Sequence, residues 1–100
     1  MELKANVNFD RFEAALQVVD AHTVGEFCRI VIGGFPEPEG TTMIEKKKWM
    51  EENYDKVRTA LMFEPRGHHD MFGAFLCEPV NPEADFGVMF MDTGGYLNMC

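Results

Sequence analysis

Apolar residues cluster in two short runs in the first third of the chain. Leu16 to Val19 predict a short strand, which leads into the polar cluster Asp20 to Thr23. Phe27 to Ile32 are rich in β-branched residues and predict a second strand. Because the connecting Val24-Gly25-Glu26 is short enough for a hairpin, we expect the two strands to pair with each other.

The middle of the chain has the pattern of one helix. Thr42 is a good N-cap, and Glu45, three residues later, completes a capping box. Apolar residues at helical spacing define a buried face, namely Met50, Tyr54, Val57 and Leu61. Charged residues are expected to solvate the other faces: Lys46, Lys47, Lys48, Glu51, Glu52 and Asp55. The lysine run is therefore predicted to be helix surface, with a binding role as the alternative, and Pro65 prevents the helix from running on.

The last third of the chain predicts two strands and a turn. Gly73 to Cys77 and Phe86 to Met91 are apolar at successive positions, which is typical of strands covered on both faces. Asp92-Thr93-Gly94-Gly95 predicts a tight turn, in which the two glycines are free to take positive φ. Asn98 would be a good N-cap, so Cys100 would lie in the first turn of a further helix.

Composition and charge restrict the class of protein. Of the 100 residues, 46% are hydrophobic and 26% are charged, which is the composition of one globular domain. The chain has 9 Lys and Arg against 17 Asp and Glu, and the net charge of −8 argues against binding to nucleic acid or an anionic membrane. No stretch approaches the roughly 20 apolar residues of a membrane span. Met1 to Glu13 contain no apolar signal core, so we expect a cytoplasmic protein.

Cys100 is the strongest candidate for chemistry. At a helix N-terminus, a thiol meets unsatisfied backbone N–H groups and the positive end of the helix dipole, and both lower its pKa. Such a thiolate suits general-base or nucleophilic work, and a small core cysteine is the alternative. Cys28 and Cys77 lie within strand patterns and are interpreted as core residues. The odd number of cysteines favours free thiols in a reducing compartment over a disulfide framework.

Three further groups of polar residues have both a structural and a functional interpretation. His68-His69-Asp70 invites a metal hypothesis, but adjacent residues project differently and no second ligand cluster exists, so no metal is predicted. His22 is interpreted as a buried hydrogen-bonding histidine, with a role in a site as the alternative. Arg66 could clamp a carboxylate, or it could pair with Glu64 or the helix C-terminus.

Several long segments are in order and correctly spaced for a known family. They are Asp20-Ala21-His22-Thr23-Val24-Gly25-Glu26, Arg29 to Pro36, Met43-Ile44-Glu45-Lys46-Lys47, Leu61 to Ala74 and Ala84 to Cys100. On these segments the chain from Val18 to Cys100 resembles the proline racemase family. Two runs, His68 to Gly73 and Phe90 to Cys100, look most like the proline racemases proper.

The resemblance implies a fold and a kind of catalysis. Family members are cofactor-independent amino-acid racemases, epimerases and related dehydratases. Their α/β (α+β) fold resembles that of diaminopimelate epimerase, with two similar domains, each a curved sheet around a central helix, and a reaction centre between them. Residues 1–100 would then be an incomplete N-terminal domain, with the second domain absent. The resemblance also implies proline or hydroxyproline as a small-molecule substrate and no cofactor, and it leaves a homodimer open.

The resemblance assigns roles to two residues. Cys100 corresponds to the first of two catalytic residues, and Phe72 matches a pocket phenylalanine that packs against the unsubstituted proline ring. The second catalytic cysteine is missing from this chain, as is the Gly-His that follows the first one, and neither Cys28 nor Cys77 takes its place. We therefore expect the N-terminal portion of an enzyme that interconverts L- and D-proline through two cysteines, inactive by itself.

Two alternatives remain open at this point. The same family includes 4-hydroxyproline epimerases, which tend to have a smaller residue in place of Phe72, and trans-3-hydroxyproline dehydratases, which replace the second catalytic residue with threonine. A non-catalytic fragment or interaction module is the other alternative. Self-association is expected of a half-domain, because it exposes strand edges and apolar surface.

Overall fold

Residues 14–97 are the part of the chain that the computed structural model describes, and they form one mixed sheet with two helices. The elements are β1 (Gln17–Thr23), β2 (Glu26–Gly33), α1 (Met43–Asn53), α2 (Asp55–Met62), β3 (Phe72–Cys77), β4 (Gly87–Asp92) and β5 (Gly95–Tyr96). The five strands follow the order β1-β2-β3-β4-β5. Neighbouring strands are antiparallel except β2 and β3, which are parallel. Parallel neighbours require a long crossover connection, and both helices lie in the one between β2 and β3.

The predicted hairpin is confirmed, and its first strand is longer than predicted. The polar cluster Asp20 to Thr23 is part of β1, where Asp20 pairs with Arg29 and His22 with Phe27. The turn residues Val24 and Gly25 both have positive φ, at 49° and 88°. Two positive φ values match the right-handed twist of the flanking strands, which is why so short a turn can join them.

The helical segment is two helices, so the prediction of one uninterrupted helix is wrong. The predicted capping box is present, because the Thr42 hydroxyl accepts from the Glu45 N–H and the Glu45 carboxylate accepts from the Thr42 N–H. The break lies at Tyr54, whose φ of −140° and ψ of 19° are not helical. The apolar spacing continues across the break, so periodicity could not reveal it. No helix among residues 14–97 is long and apolar enough to cross a membrane.

Both helices pack on one face of the sheet. A Cβ on Gly73 would lie 2.8 Å from the Met62 Cε, and one on Gly87 would lie 3.0 Å from the Met43 sulfur, so glycine lets the helices approach closely. The core between these layers is rich in methionine, whose flexible thioether fills irregular gaps. It consists of Val31, Met50, Val57, Leu61, Met62, Met71, Phe75, Cys77, Met89, Met91 and Tyr96.

The other face of the sheet, which we call the open face, carries half-buried apolar residues. They are Ile30, Phe72, Leu76, Val88 and Phe90, and no element among residues 14–97 covers them. Phe86, just before β4, is 56% exposed. The prediction that both faces of these strands are covered is therefore wrong for the described residues, because the two helices lie on the same face.

The Lys46 side chain is buried, so the prediction that it solvates the helix surface is wrong. Only 6% of Lys46 is exposed. Its ammonium group donates to the Glu78 carbonyl at 2.8 Å and to the Glu37 carboxylate at 3.3 Å. Lys47 is half-buried, and its ammonium group lies 3.7 Å from the Glu51 carboxylate. The first lysine of the run thus ties α1 to the end of β3.

Candidate active site

Phe72 begins β3 on the open face, and the structure shows what holds its ring. The ring stacks on that of Phe90, with centroids 5.5 Å apart and planes 30° from parallel. Phe72 also pairs with Asp92 on the neighbouring strand β4. Its ring is half-buried, so it presents one apolar side that a flat, apolar group could contact.

Cys100 and its predicted N-cap, Asn98, lie outside the described residues. Leu97 is the last residue that the structure describes, three residues before Cys100. Its backbone N–H donates to the Phe90 carbonyl at 3.0 Å. The segment that precedes Cys100 in the sequence is therefore bound to the same strand residue that stacks on Phe72.

The turn before this segment is held by one carboxylate oxygen. The Oδ1 atom of Asp92 accepts from the backbone N–H groups of Gly94 at 2.8 Å and Gly95 at 3.1 Å. Gly95 has a φ of +145°, which favours glycine. The tight turn predicted at 92–95 is confirmed, and the carboxylate supplies the acceptor that its amides need.

Arg58 holds the same turn from the helix face. Its guanidinium donates to the backbone carbonyl of Asp92 at 2.8 Å and to both carboxylate oxygens of Asp55 at 2.7 and 3.0 Å. Arg58 is only 8% exposed, and sequence reasoning missed it. The available signal was an arginine next to Val57 on the apolar side of a helix, where a buried charge requires a partner.

Tyr96, the last residue of β5, is buried beside Arg58. Its ring stacks on Phe75 with centroids 6.3 Å apart, and its hydroxyl has no hydrogen-bond partner among the described residues. Burial raises the pKa of the Tyr96 phenol far above its ordinary value. The residue therefore stays neutral and serves as a core contact for the strand that leads to Cys100.

Arg29 fixes the connection between α2 and Phe72. Its guanidinium donates to both carboxylate oxygens of Asp20, at 2.8 and 3.2 Å. It also donates to the backbone carbonyls of Leu61 at 3.2 Å and Arg66 at 2.7 Å. Sequence reasoning missed this role, although one cation inside the apolar run of β2 was a signal for it. The loop that enters β3 is thus tied to the hairpin.

The histidines do not form a metal cluster. His68 uses its Nδ1 atom to accept from the Asp70 N–H at 3.1 Å, and the exposed His69 ring lies 3.2 Å from the Asp70 carboxylate. Within residues 14–97, no three side chains of His, Cys, Asp or Glu converge as metal ligands would. His22 is exposed on the edge strand β1, so its interpretation as a buried histidine is wrong, since no described element covers that strand.

The two described cysteines behave as packing residues to different degrees. Cys77 is buried, as predicted, and burial raises the pKa of its thiol. Cys28 is half-buried, and burial again raises the pKa of its thiol. Both environments favour the neutral thiol, which is a poor nucleophile. Neither residue is therefore suited to the role expected of Cys100.

A cleft of about 870 Å³ opens between β1 and α2. Its walls are mostly apolar, with three basic residues: Ala14, Leu16, Val18, Arg29, Tyr54, Lys56, Val57, Ala60, Leu61 and Arg66. Arg66, a sequence candidate for carboxylate binding, lines this cleft, whereas Phe72 does not. The structure therefore does not bring these two candidates together in one pocket.

Comparison with known proteins identifies the class. The chain belongs to the proline racemase family, since the family model for proline racemase matches residues 18–100. The proline racemase of Clostridioides difficile is 57% identical over 90 residues, which are 90% of this chain and 27% of that protein. The trans-3-hydroxy-L-proline dehydratase of Azospirillum brasilense is 51% identical over 86 residues, which are 86% of this chain and 26% of that protein. The chain thus spans about a quarter of the length of these curated relatives.

A solved structure agrees with the fold. A hydroxyproline epimerase from Agrobacterium vitis with bound trans-4-hydroxy-L-proline has a TM-score of 0.71 and 25% identity to this chain. The match covers 81% of this chain and 24% of that protein. The mixed α/β, epimerase-like fold that the resemblance implied is confirmed.

Proposed function

We propose that this chain supplies one side of the active site of a proline racemase. In this proposal Cys100 is an acid–base thiol and Phe72 contacts the substrate ring. The observation that carries the proposal is that Phe72 and the segment leading to Cys100 meet at one end of the sheet, joined through Phe90 and Asp92. The 57% identity to a proline racemase supports the choice of reaction.

The chemistry requires two groups on opposite sides of the substrate. Racemisation removes the α-hydrogen of proline as a proton from one face and adds a proton on the other face. A thiolate at Cys100 would take the proton from one enantiomer, and a protonated second group would deliver one from the opposite side. In the reverse direction the two groups exchange roles. Because this chain spans only 27% of the C. difficile racemase, we assign the second group to residues outside it.

Phe72 is proposed to select the substrate ring. The stacked Phe90 supports the Phe72 ring from one side, so that ring cannot easily move to admit a larger substrate. An apolar wall fits the CH₂ groups of proline, whereas it would leave a ring hydroxyl without a hydrogen-bond partner. Proline is therefore the favoured substrate over 4-hydroxyproline.

Activity measurements on two proteins test the proposal. The purified 100-residue chain should not change the optical rotation of L-proline, because it lacks the second group. A chimera in which residues 18–100 replace the matched residues of the C. difficile proline racemase should racemise proline. Turnover by the chain alone would overturn the assignment of the second acid–base group to residues outside it. A folded but inactive chimera would overturn the proposed function.

Substitution of Phe72 tests its role in substrate selection. In the chimera, Phe72→Ala should lower kcat/KM for L-proline by about 10-fold or more, since apolar pocket contacts of this size are worth about 1–3 kcal/mol. It should lower kcat/KM for trans-4-hydroxy-L-proline less. Phe86→Ala, at a phenylalanine that is already 56% exposed, is the matched control. An equal loss for both substrates would contradict selection by Phe72.

A hydroxyproline substrate is the second candidate, and two observations favour it. The A. brasilense dehydratase is 51% identical to this chain, and the A. vitis epimerase holds trans-4-hydroxy-L-proline. Activity of the chimera is compared on L-proline, trans-4-hydroxy-L-proline and trans-3-hydroxy-L-proline. The comparison shows which of the three substrates residues 18–100 favour. Preference for a hydroxylated substrate would replace the racemase proposal.

We also propose a cytoplasmic, cofactor-independent enzyme that is dimeric when complete. The free thiols of Cys28 and Cys77 support a reducing compartment. Proton transfer between two side chains needs no group beyond the protein, so activity of the chimera should survive dialysis against a chelator and a carbonyl reagent. Sedimentation of the active chimera would test the dimer.

A further inference from the structure

We propose that Asp92 is a positioning residue for this racemase site, acting on Cys100 through the turn between β4 and β5. The inference rests on the proposed function, because it assigns Asp92 a role in placing the acid–base thiol. Asp92 lies between Phe72 and the turn that precedes Cys100 in the sequence. It pairs with Phe72 of β3 on one neighbouring strand and with Gly95 of β5 on the other.

Two groups of Asp92 hold the turn through three hydrogen bonds. Its Oδ1 atom accepts from Gly94 and Gly95, and its backbone carbonyl accepts from the buried guanidinium of Arg58. Arg58 itself donates two hydrogen bonds to the Asp55 carboxylate, so the turn is anchored to α2 rather than only to its own strand.

The turn needs this anchor because it contains two consecutive glycines. Glycine loses more conformational freedom on ordering than any other residue, so Gly94-Gly95 would sample many directions without a fixed acceptor. The chain reaches Cys100 five residues after Gly95. A displacement of about 1 Å at a reacting group can cost about 10²-fold in rate. Loosening the turn should therefore impair proton transfer while the Phe72 contact with the substrate remains.

Two substitutions of Asp92 in the chimera separate positioning from other roles. Asp92→Ala removes the acceptor, so kcat should fall by about 10²-fold while KM changes little. Asp92→Asn keeps a carbonyl oxygen at the same place and should recover most of kcat. Asp85→Ala, at an exposed aspartate in the connection before β4, is the matched control and should leave both constants unchanged. Retention of kcat in Asp92→Ala, or equal losses in Asp92→Ala and Asp92→Asn, would overturn the proposal.

Amide exchange in the 100-residue chain tests the anchor without any activity. Asp92→Ala should accelerate exchange of the Gly94, Gly95 and Leu97 amides, and Asp92→Asn should leave them close to the parent chain. Amides of α1 report whether the variant is folded. Unchanged exchange at Leu97 in folded Asp92→Ala would overturn the inference. An inactive parent chimera would instead refute the proposed function, so the two failures are distinguishable.

Discussion

At the scale of single residues, two buried cations hold the ends of strands. Lys46 donates to the carbonyl of Glu78, just after β3, and Arg58 donates to the carbonyl of Asp92, at the end of β4. A buried charge is costly unless it is paired and hydrogen-bonded. Each cation also contacts a carboxylate, so both conditions are met. The helices are thereby tied to the strands by specific polar contacts as well as by the methionine core.

We expect truncation of Lys46 to destabilise the chain more than an apolar replacement does. Lys46→Ala removes both the ammonium contacts and the buried stem, and should lower the free energy of unfolding by about 2–3 kcal/mol. Lys46→Met keeps most of the stem and should cost about half as much. Urea unfolding of both variants measures the difference. A Lys46→Ala variant as stable as the parent would show that the buried contacts contribute nothing net.

At the scale of elements, the start of α1 is fixed by a carboxylate. Glu45 accepts from the backbone N–H of Thr41 at 2.6 Å and from its hydroxyl at 2.8 Å, as well as from the Thr42 N–H. These bonds, led by the Thr41 N–H, lower the pKa of Glu45. A lowered pKa in the folded state means that the carboxylate stabilises the fold above its ordinary pKa and loses this effect as the pH falls through the folded value.

The contribution of Glu45 to stability should therefore disappear in acid. Glu45→Gln should lower the thermal midpoint at pH 7 and have a smaller effect in acid below the lowered pKa of Glu45, where the carboxyl group of the parent is protonated. The direction follows because the unfolded chain binds the proton more tightly than the folded chain. Glu52→Gln, at an exposed position of the same helix, is the control. An equal effect of Glu45→Gln at both pH values would contradict this account.

Close contact between sheet and helices makes Gly73 sensitive to substitution. A Cβ there would lie 2.8 Å from the Met62 Cε, 2.9 Å from the Met91 Cε and 2.9 Å from the Arg29 carbonyl oxygen. The methionines can move, whereas the backbone oxygen cannot move without disturbing the pairing of β2 and β3. We expect Gly73→Ala to cost about 1–3 kcal/mol in urea unfolding. Unchanged stability would mean that the two layers are packed less tightly than the structure shows.

At the scale of the whole molecule, the open face is the unusual feature. Its apolar residues are half-buried within the described part of the chain, and the chain spans about a quarter of its curated relatives. Apolar surface of this kind promotes association. We expect the purified chain to sediment as concentration-dependent oligomers, and Val88→Lys on the open face to reduce them. Val24→Lys at the exposed hairpin turn is the control, and a cooperative monomer would favour an independent module.

Local signals could be read from the sequence, whereas distant contacts could not. The hairpin, the capping box and the 92–95 turn each depend on residues within a few positions of one another, so their patterns were visible. The backbone carbonyls that Lys46 and Arg58 contact lie 32 and 34 residues away, and nothing local indicates them. The same limit applies to the site: Phe72 and Cys100 came from family resemblance, and the supports from Phe90 and Asp92 required the fold.

The most direct test of the central claim is the fate of the α-hydrogen of L-proline in D₂O. The chimera with Cys100 should form D-proline that carries deuterium at Cα, since the proton delivered to the second face comes from a group equilibrated with solvent. Cys100→Ser should lower the rate of D-proline formation by at least about 10²-fold, the usual contribution of an acid–base group. Formation of D-proline at an undiminished rate by Cys100→Ser would contradict the account.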